Sequence, residues 1–138
     1  MKLLAPALLL TILAGTVTGC ASTPAGAGTS EGWPVGRTFV SLSVTGHALV
    51  AGTRITLTFH RGNSFSAHAG CSQLSAPGRL SGGRLIVGPI RQTLVGCDPG
   101  RASQDQWLAS FLAARPRWHL AGDRLQLTSG TVRITLTA

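Results

Sequence analysis

Apolar and polar residues alternate along much of the chain after residue 35. Such alternation is typical of strands that bury one face and expose the other. The clearest stretch is 53–60, in which Ile55, Leu57 and Phe59 fall on one face and the intervening residues on the other. This stretch predicts a half-buried strand whose apolar face belongs to the core.

Two neighbours of that strand follow from the same pattern. Residues 64–71, reached through a tight turn at 61–63, predict an antiparallel partner that ends at Cys71. Residues 37–44 predict an earlier strand. Its expected inward side chains are Val40, Leu42 and Val44.

Turn signals divide most of the remaining chain into further short extended segments. Glycine-rich or proline-containing pairs mark these turns, the clearest being Gly82-Gly83. The predicted segments are the two arms around that turn within 76–87, then 90–95, 117–120, 124–128 and 131–137.

One helix interrupts the strands. Asp98 is a suitable N-cap and Pro99 suits the first helical position, although Ser103-x-x-Gln106 offers a competing capping box. The helix should end before Pro116. Its apolar stripe, which core packing explains better than a ligand site, consists of Trp107, Leu108, Phe111 and Leu112.

Many short antiparallel strands with one inserted helix indicate an α+β domain that is mostly β. We expect a small antiparallel barrel or sandwich-like domain, with meander connections and the helix packed across it.

The N-terminal region has a different pattern. Residues 1–19 predict a signal peptide, because a positive start precedes an apolar run too short to span a bilayer comfortably. Residues 17–20 are similar to a bacterial lipobox, which predicts lipidation of Cys20; an ordinary signal peptide that contains a cysteine is the alternative. Residues 20–34 predict a flexible tether and 35–138 the folded domain. The chain is therefore expected to be exported and lipid-anchored, with its domain outside the cytoplasm.

Charge adds a possible partner class. The chain carries 12 Lys and Arg against 4 Asp and Glu, and every basic residue after Lys2 is arginine. Arginine without lysine in a Gly- and Ala-rich chain is explained more simply by a GC-rich genome than by a binding code. A basic exported domain could still meet lipid headgroups, anionic polymers or an envelope protein. No nucleic-acid recognition motif accompanies the arginines.

Three cysteines fit one lipid-bearing residue and one pair. Export would place Cys71 and Cys97 in an oxidising compartment, where a disulfide persists. A redox-active pair is the alternative, but the two residues lack a C-x-x-C arrangement. We therefore expect a structural bridge.

Candidate catalytic groups are few. Asp98, Asp105 and Asp123 are interpreted as a cap, an exposed helix residue and a turn former, which argues against paired-carboxylate chemistry. A metal set of His60, His68 and Cys71 is disfavoured, since His68 and Cys71 should point to opposite faces. No nucleophile elbow or dinucleotide-binding motif occurs. We expect neither an enzyme nor a cofactor.

Several of these stretches together resemble the META domain family, which includes the heat-shock protein HslJ and many bacterial lipoproteins. The matching stretches are 36–39, 53–59, 69–72, Thr93-x-x-Gly96-Cys97, the helix 104–112 and Gly122-Asp123-x-Leu125-x-Leu127. Ser72 stands where the family commonly has Asn, and Val95 where it often has Met.

The resemblance implies a compact β-rich domain with a helix across it and a cysteine pair, and only loose links to stress, antibiotic tolerance and envelope functions. Function transferred from a fold is associational.

The leading hypothesis is an envelope lipoprotein that binds a ligand or protein, through an apolar cleft or an aromatic patch near the helix. The alternative is an envelope-protective or inhibitor-like protein with a rigid loop around 72–83, and an enzyme comes third.

Overall fold

The computed structural model describes residues 32–93 and 95–138, together with Gly15 and Gly19. Apart from these two glycines, the predicted signal peptide lies outside the described residues, as do the lipidation at Cys20 and most of the predicted tether. The elements are β1 Thr38–Thr45, β2 Thr56–His60, β3 Ser64–His68, β4 Gln73–Ser81, β5 Arg84–Val87, β6 Arg91–Gln92, α1 Pro99–Ala113, β7 Arg117–Ala121, β8 Arg124–Ser129 and β9 Val132–Thr137.

Eight of the strands close into an antiparallel barrel. Each strand pairs with its neighbour in the order β1, β9, β8, β7, β5, β4, β3, β2, and β2 returns to β1. The short β6 lies outside this ring, against the first part of β4. Closure satisfies the backbone hydrogen bonds that an open sheet leaves at its edges. The predicted fold class is confirmed.

The barrel interior holds the apolar faces of the predicted strands. Ile55, Leu57 and Phe59 are at most 1% exposed, as the alternation in 53–60 predicts. Inward residues from every barrel strand pack together with Leu108, Phe111 and Leu112 of the helix. Burial of these side chains is the main stabilising contribution to the domain.

Strand β1 departs from its predicted pattern. Phe39 is fully buried, whereas Leu42, expected inside, is 57% exposed. The reason is a β-bulge: Ser41 and Ser43 face consecutive residues of β9, so Leu42 is an extra residue without a partner. The extra residue reverses the side-chain alternation: Val40 and Leu42 lie on the face opposite to Phe39, so their expected inward positions are wrong, whereas Val44 packs against the core as expected.

The helix begins and ends as predicted. Asp98 Oδ2 accepts a hydrogen bond from the backbone N–H of Arg101 at 3.1 Å, and Pro99 is the first helical residue. The competing start at Ser103 is not used. Three of the four stripe residues are buried; Trp107 is half-buried and stacks on His47, with ring centroids 3.8 Å apart.

Other boundaries shift slightly. Residues 72–83, considered as a protruding loop, form β4 and the turn into β5, and the predicted segment 90–95 contributes only β6. Packing against the barrel begins at Trp33, two residues before the predicted domain start: its indole N–H donates to the His60 carbonyl at 2.9 Å, and its ring meets Phe59 edge-on.

Within the described part of the chain, no helix has the length and apolarity needed to cross a membrane.

Candidate functional site

Two regions of the domain combine polar groups that ordinary core packing does not require. The first is the helix junction, which we define as Gln104 and Asp105 of the helix together with Cys71 and Cys97. The second is a row of arginines and threonines on the outer face of the barrel.

Gln104 joins the helix to two loops of the barrel. It is 3% exposed. Its Oε1 accepts from the Val50 N–H at 2.6 Å, and its Nε2 donates to Thr53 Oγ1 at 2.8 Å and to the Ala69 carbonyl at 2.6 Å. A buried amide with its hydrogen bonds made is stabilising, and each bond left unmade would cost about 1–3 kcal/mol.

Asp105 is fully buried, which contradicts its interpretation as an exposed helix residue. Its Oδ2 accepts from the Ser72 N–H at 2.8 Å, whereas Oδ1 has no donor among the described residues. Ser72 is buried too. Its backbone N–H bonds the helix, whereas its hydroxyl lies against Cys71 Sγ. The helical period places Asp105 beside Leu108 and Leu112 on the buried face, so the spacing was the available signal, although an aspartate is normally solvated.

Cys71 and Cys97 form the expected disulfide, with Cα atoms 6.1 Å apart. That distance lies within the ordinary range for a bridge. The bridge joins the turn after β3 to the loop before the helix. Ligand atoms of Cys71, Cys97 and Asp105 all lie within 4.8 Å of one another.

The histidines considered as metal ligands make other contacts. His68 uses both ring nitrogens on its own turn: Nε2 lies 3.1 Å from the Cys71 carbonyl, and Nδ1 accepts from the Gly70 N–H at 3.2 Å. His60 Nε2 lies 2.8 Å from Ser66 Oγ. In the described part of the chain, no carboxylate is hydrogen-bonded to this Ser–His pair.

The second region, the arginine row, crosses five neighbouring strands of the barrel, and each of its residues faces the next across a strand pair. Arg84 of β5 faces Arg117 of β7, which faces Thr128 of β8. Thr128 faces Arg133 of β9, which in turn faces Thr45 of β1. All five alternate with inward-facing residues, so they share the outer face of the barrel.

The basic end of this row borders a cleft of about 490 Å³. Arg84, Arg117, His119, Gln126 and Thr128 contribute to its lining. Arg84 is held in place because its guanidinium donates to the Arg115 carbonyl at 2.9 Å. Trp118 also lines the cleft, and its buried indole N–H has no acceptor among the described residues.

Carboxylates in the described residues are engaged elsewhere. Asp123 pairs with Arg37 at 2.7 Å, Asp98 lies 3.7 Å from Arg101, and Asp105 bonds Ser72. Facing arginines that lack an acidic neighbour repel each other. An anion between them would remove that repulsion, which makes this cleft a candidate anion site.

An apolar cleft of about 430 Å³ is also present on the outside of β3 and β4. It lies away from the helix stripe, and its apolar lining comes from Phe65, Ala76, Pro77 and Pro89. The large apolar residues that are exposed, Val35, Leu42 and Val95, are not among its lining residues.

The sequence shows that the chain is rich in arginine but not that three of these arginines lie in one row across neighbouring strands. Arg84, Arg117 and Arg133 are far apart along the chain, and only strand register places them in one row. The signal available in the sequence was that each one occupies a polar position of an alternating segment.

The fold and the two regions together define a small closed β-barrel domain with one helix packed into its core and a basic outer face. The family profile of the META domain matches residues 34–138. The chain therefore belongs to the META domain family.

Solved structures agree on the fold. One NMR structure gives a TM-score of 0.59 at 22% identity, covering 74% of this chain and 88% of that one. The NMR structure of a protein from Burkholderia xenovorans gives a TM-score of 0.60 at 20% identity, covering 75% and 81%. At such identities the likeness shows the fold alone. No curated protein matches the chain at a significant level.

Proposed function

We propose that this META domain is a non-enzymatic binding protein of the bacterial envelope that holds an anionic polymer along the arginine row, while lipid on Cys20 anchors the chain to the membrane. The observation that carries the proposal is the alignment of Arg84, Arg117 and Arg133 beside a cleft, with no carboxylate of the described residues bonded to them.

A linear polyanion suits this geometry better than a single small anion. Neighbouring strands are about 4.8 Å apart, so the row presents three guanidinium groups over roughly 14 Å. Arginine offers paired donors that match phosphate or carboxylate oxygens. Thr45 and Thr128 add hydroxyl groups along the same line.

The inhibitor-like alternative receives less support. It needed a rigid protruding loop around residues 72–83, whereas this segment is a barrel strand with a tight turn at its end. The apolar cleft beside Phe65 agrees with a ligand-binding role but contains little that would select a ligand.

Binding of linear polyphosphate tests the proposal. The full chain, in a non-ionic detergent, would be titrated with labelled polyphosphate at low salt. Changing Arg84, Arg117 and Arg133 to Gln should weaken binding at least tenfold, because three exposed charge pairs at about 0.5–1 kcal/mol each are removed. Binding should also weaken steeply as salt is added.

A matched control separates the row from net charge. Changing Arg54, Arg61 and Arg101 to Gln removes the same charge from exposed positions elsewhere. This variant should retain most of the affinity. Equal losses in both variants, or no binding by the unaltered chain, would contradict the proposal.

The anchor is tested separately. Replacing Cys20 with Ala should abolish labelling by a fatty-acid analogue and release the protein from the membrane fraction. Retention in that fraction would contradict the anchor but leave the arginine row untouched.

A further inference from the structure

We propose that, when the disulfide is reduced, the helix junction binds a thiophilic divalent cation such as Zn²⁺ through Cys71 Sγ, Cys97 Sγ and Asp105 Oδ1. The disulfide and the metal would then be alternative ways of closing the same junction. This proposal is independent of the arginine row.

The geometry provides three ligands from three separate segments. The sulfur atoms and the carboxylate lie within 4.8 Å of one another. Around a tetrahedral Zn²⁺, ligand atoms at about 2.0–2.3 Å from the metal are roughly 3.5–3.8 Å apart. The three groups are therefore near a binding arrangement once the sulfur–sulfur bond is broken.

Asp105 supplies the observation that points to a ligand. A carboxylate that is fully buried is costly unless charge or hydrogen bonds compensate it, and its Oδ1 has no donor among the described residues. Its Oδ2 is held by the Ser72 N–H, which orients the group. Such outer hydrogen bonds to a carboxylate are typical of metal sites.

Ligand chemistry favours zinc over harder cations. Thiolates select soft or borderline metals, whereas calcium and magnesium require mainly oxygen ligands. The fourth position of a tetrahedral ion would be taken by water. Ser72 Oγ, 3.7 Å from Cys71 Sγ, lies next to the site.

The chemical steps balance with a dithiol or phosphine reductant. Two electrons and two protons convert the disulfide into two thiols while the reductant is oxidised. Zn²⁺ then displaces two protons and binds two thiolates. Two thiolates, one carboxylate and Zn²⁺ carry the same total charge as the disulfide with one carboxylate, so metal binding adds no net charge to the buried site.

The experiment uses the full chain in a Cys20→Ser background, where Cys71 and Cys97 are the only thiols. The protein is reduced with a phosphine under argon and titrated with Co²⁺, then with Zn²⁺ against a chromophoric chelator. Reduced protein should bind one metal per chain and show thiolate-to-cobalt charge-transfer absorption. Oxidised protein should show neither.

Variants identify the ligands. Asp105→Asn should weaken Zn²⁺ binding at least tenfold and keep the thiolate absorption, whereas Asp123→Asn, at an exposed aspartate, should change nothing. Circular dichroism checks the fold of each variant. Cys97→Ser should reduce the charge-transfer band at least by half, because one of the two thiolate ligands is removed, and it provides a second ligand test if Asp105→Asn does not fold.

Alkylation of the unaltered thiols adds a measurement that needs no variant. Zn²⁺ should slow the reaction of iodoacetamide with both Cys71 and Cys97 in the reduced protein. Unchanged alkylation, absence of thiolate absorption, or undiminished affinity in folded Asp105→Asn would overturn the proposal.

Discussion

The helix junction and the arginine row use polar residues in opposite ways. At the junction, Gln104 makes three hydrogen bonds and the disulfide lies near Asp105, so polar groups are buried and mostly satisfied. Along the row, Arg84 and Arg117 are exposed and face a like charge. The first arrangement stabilises the fold, whereas the second leaves charge uncompensated on the surface.

The difference indicates which polar residues serve the fold and which are available for recognition. A small domain depends strongly on each buried contact, because its net stability is only several kcal/mol. Uncompensated surface charge contributes little to stability and can even oppose it. The two regions should therefore respond differently to mutation.

The largest expected effect is loss of the disulfide. Replacing Cys71 and Cys97 together with Ser should lower the free energy of unfolding by about 3–4 kcal/mol, because a bridge between residues 26 apart restricts the unfolded chain. Urea unfolding in the presence of a chelator measures the change. Reductant should destabilise the unaltered protein and leave the double variant as it was. A double variant of unchanged stability would contradict a stabilising role for the bridge.

Gln104→Ala should cost about 2–3 kcal/mol, since it leaves buried backbone groups at Val50 and Ala69 without partners. Gln106, on the exposed face of the same helix, is the matched control, and Gln106→Ala should stay within about 0.5 kcal/mol. Comparable losses in the two variants would mean that helix propensity, not the buried amide, explains the effect. Thermal and urea unfolding both provide the measurement.

The smallest change in the free energy of unfolding is expected at the arginine row, and it should be a gain in stability where the other two changes are losses. Arg117→Gln should raise stability by up to about 0.5 kcal/mol at low salt, because repulsion from Arg84 is removed, and the gain should fade at high salt. Arg133→Gln, whose direct partners are threonines, should show a smaller gain. A clear loss of stability in Arg117→Gln would mean that this row is part of the structural framework.

Much of the fold could be predicted because the barrel strands are short and regular. Alternation placed Ile55, Leu57 and Phe59 inside, and Asp98 with Pro99 located the helix start. Alternation cannot reveal a bulge, so Val40, Leu42 and Val44 were assigned to one face although the extra residue in β1 places Val44 on the other. A periodic pattern assumes regular pairing, and that assumption fails wherever one strand contains an unpaired residue.

The two candidate regions were only partly predictable. The cysteine pair followed from cysteine count and spacing, but the burial of Asp105 did not, because an aspartate next to an apolar stripe is normally solvated. The arginine row depends on register between strands distant in sequence. No local feature of the sequence encodes that register.

The pairing of β1 with β9 places Arg133 far from the point where the chain enters the barrel. β1 begins at Thr38, and Val40 faces Thr137 at the end of β9. Arg133 lies four residues earlier on β9, about 13 Å along the strand. A chain held by its N-terminal side would therefore keep Arg133 away from the attachment point, so that a long polymer could contact this end of the row without competing with the tether for space.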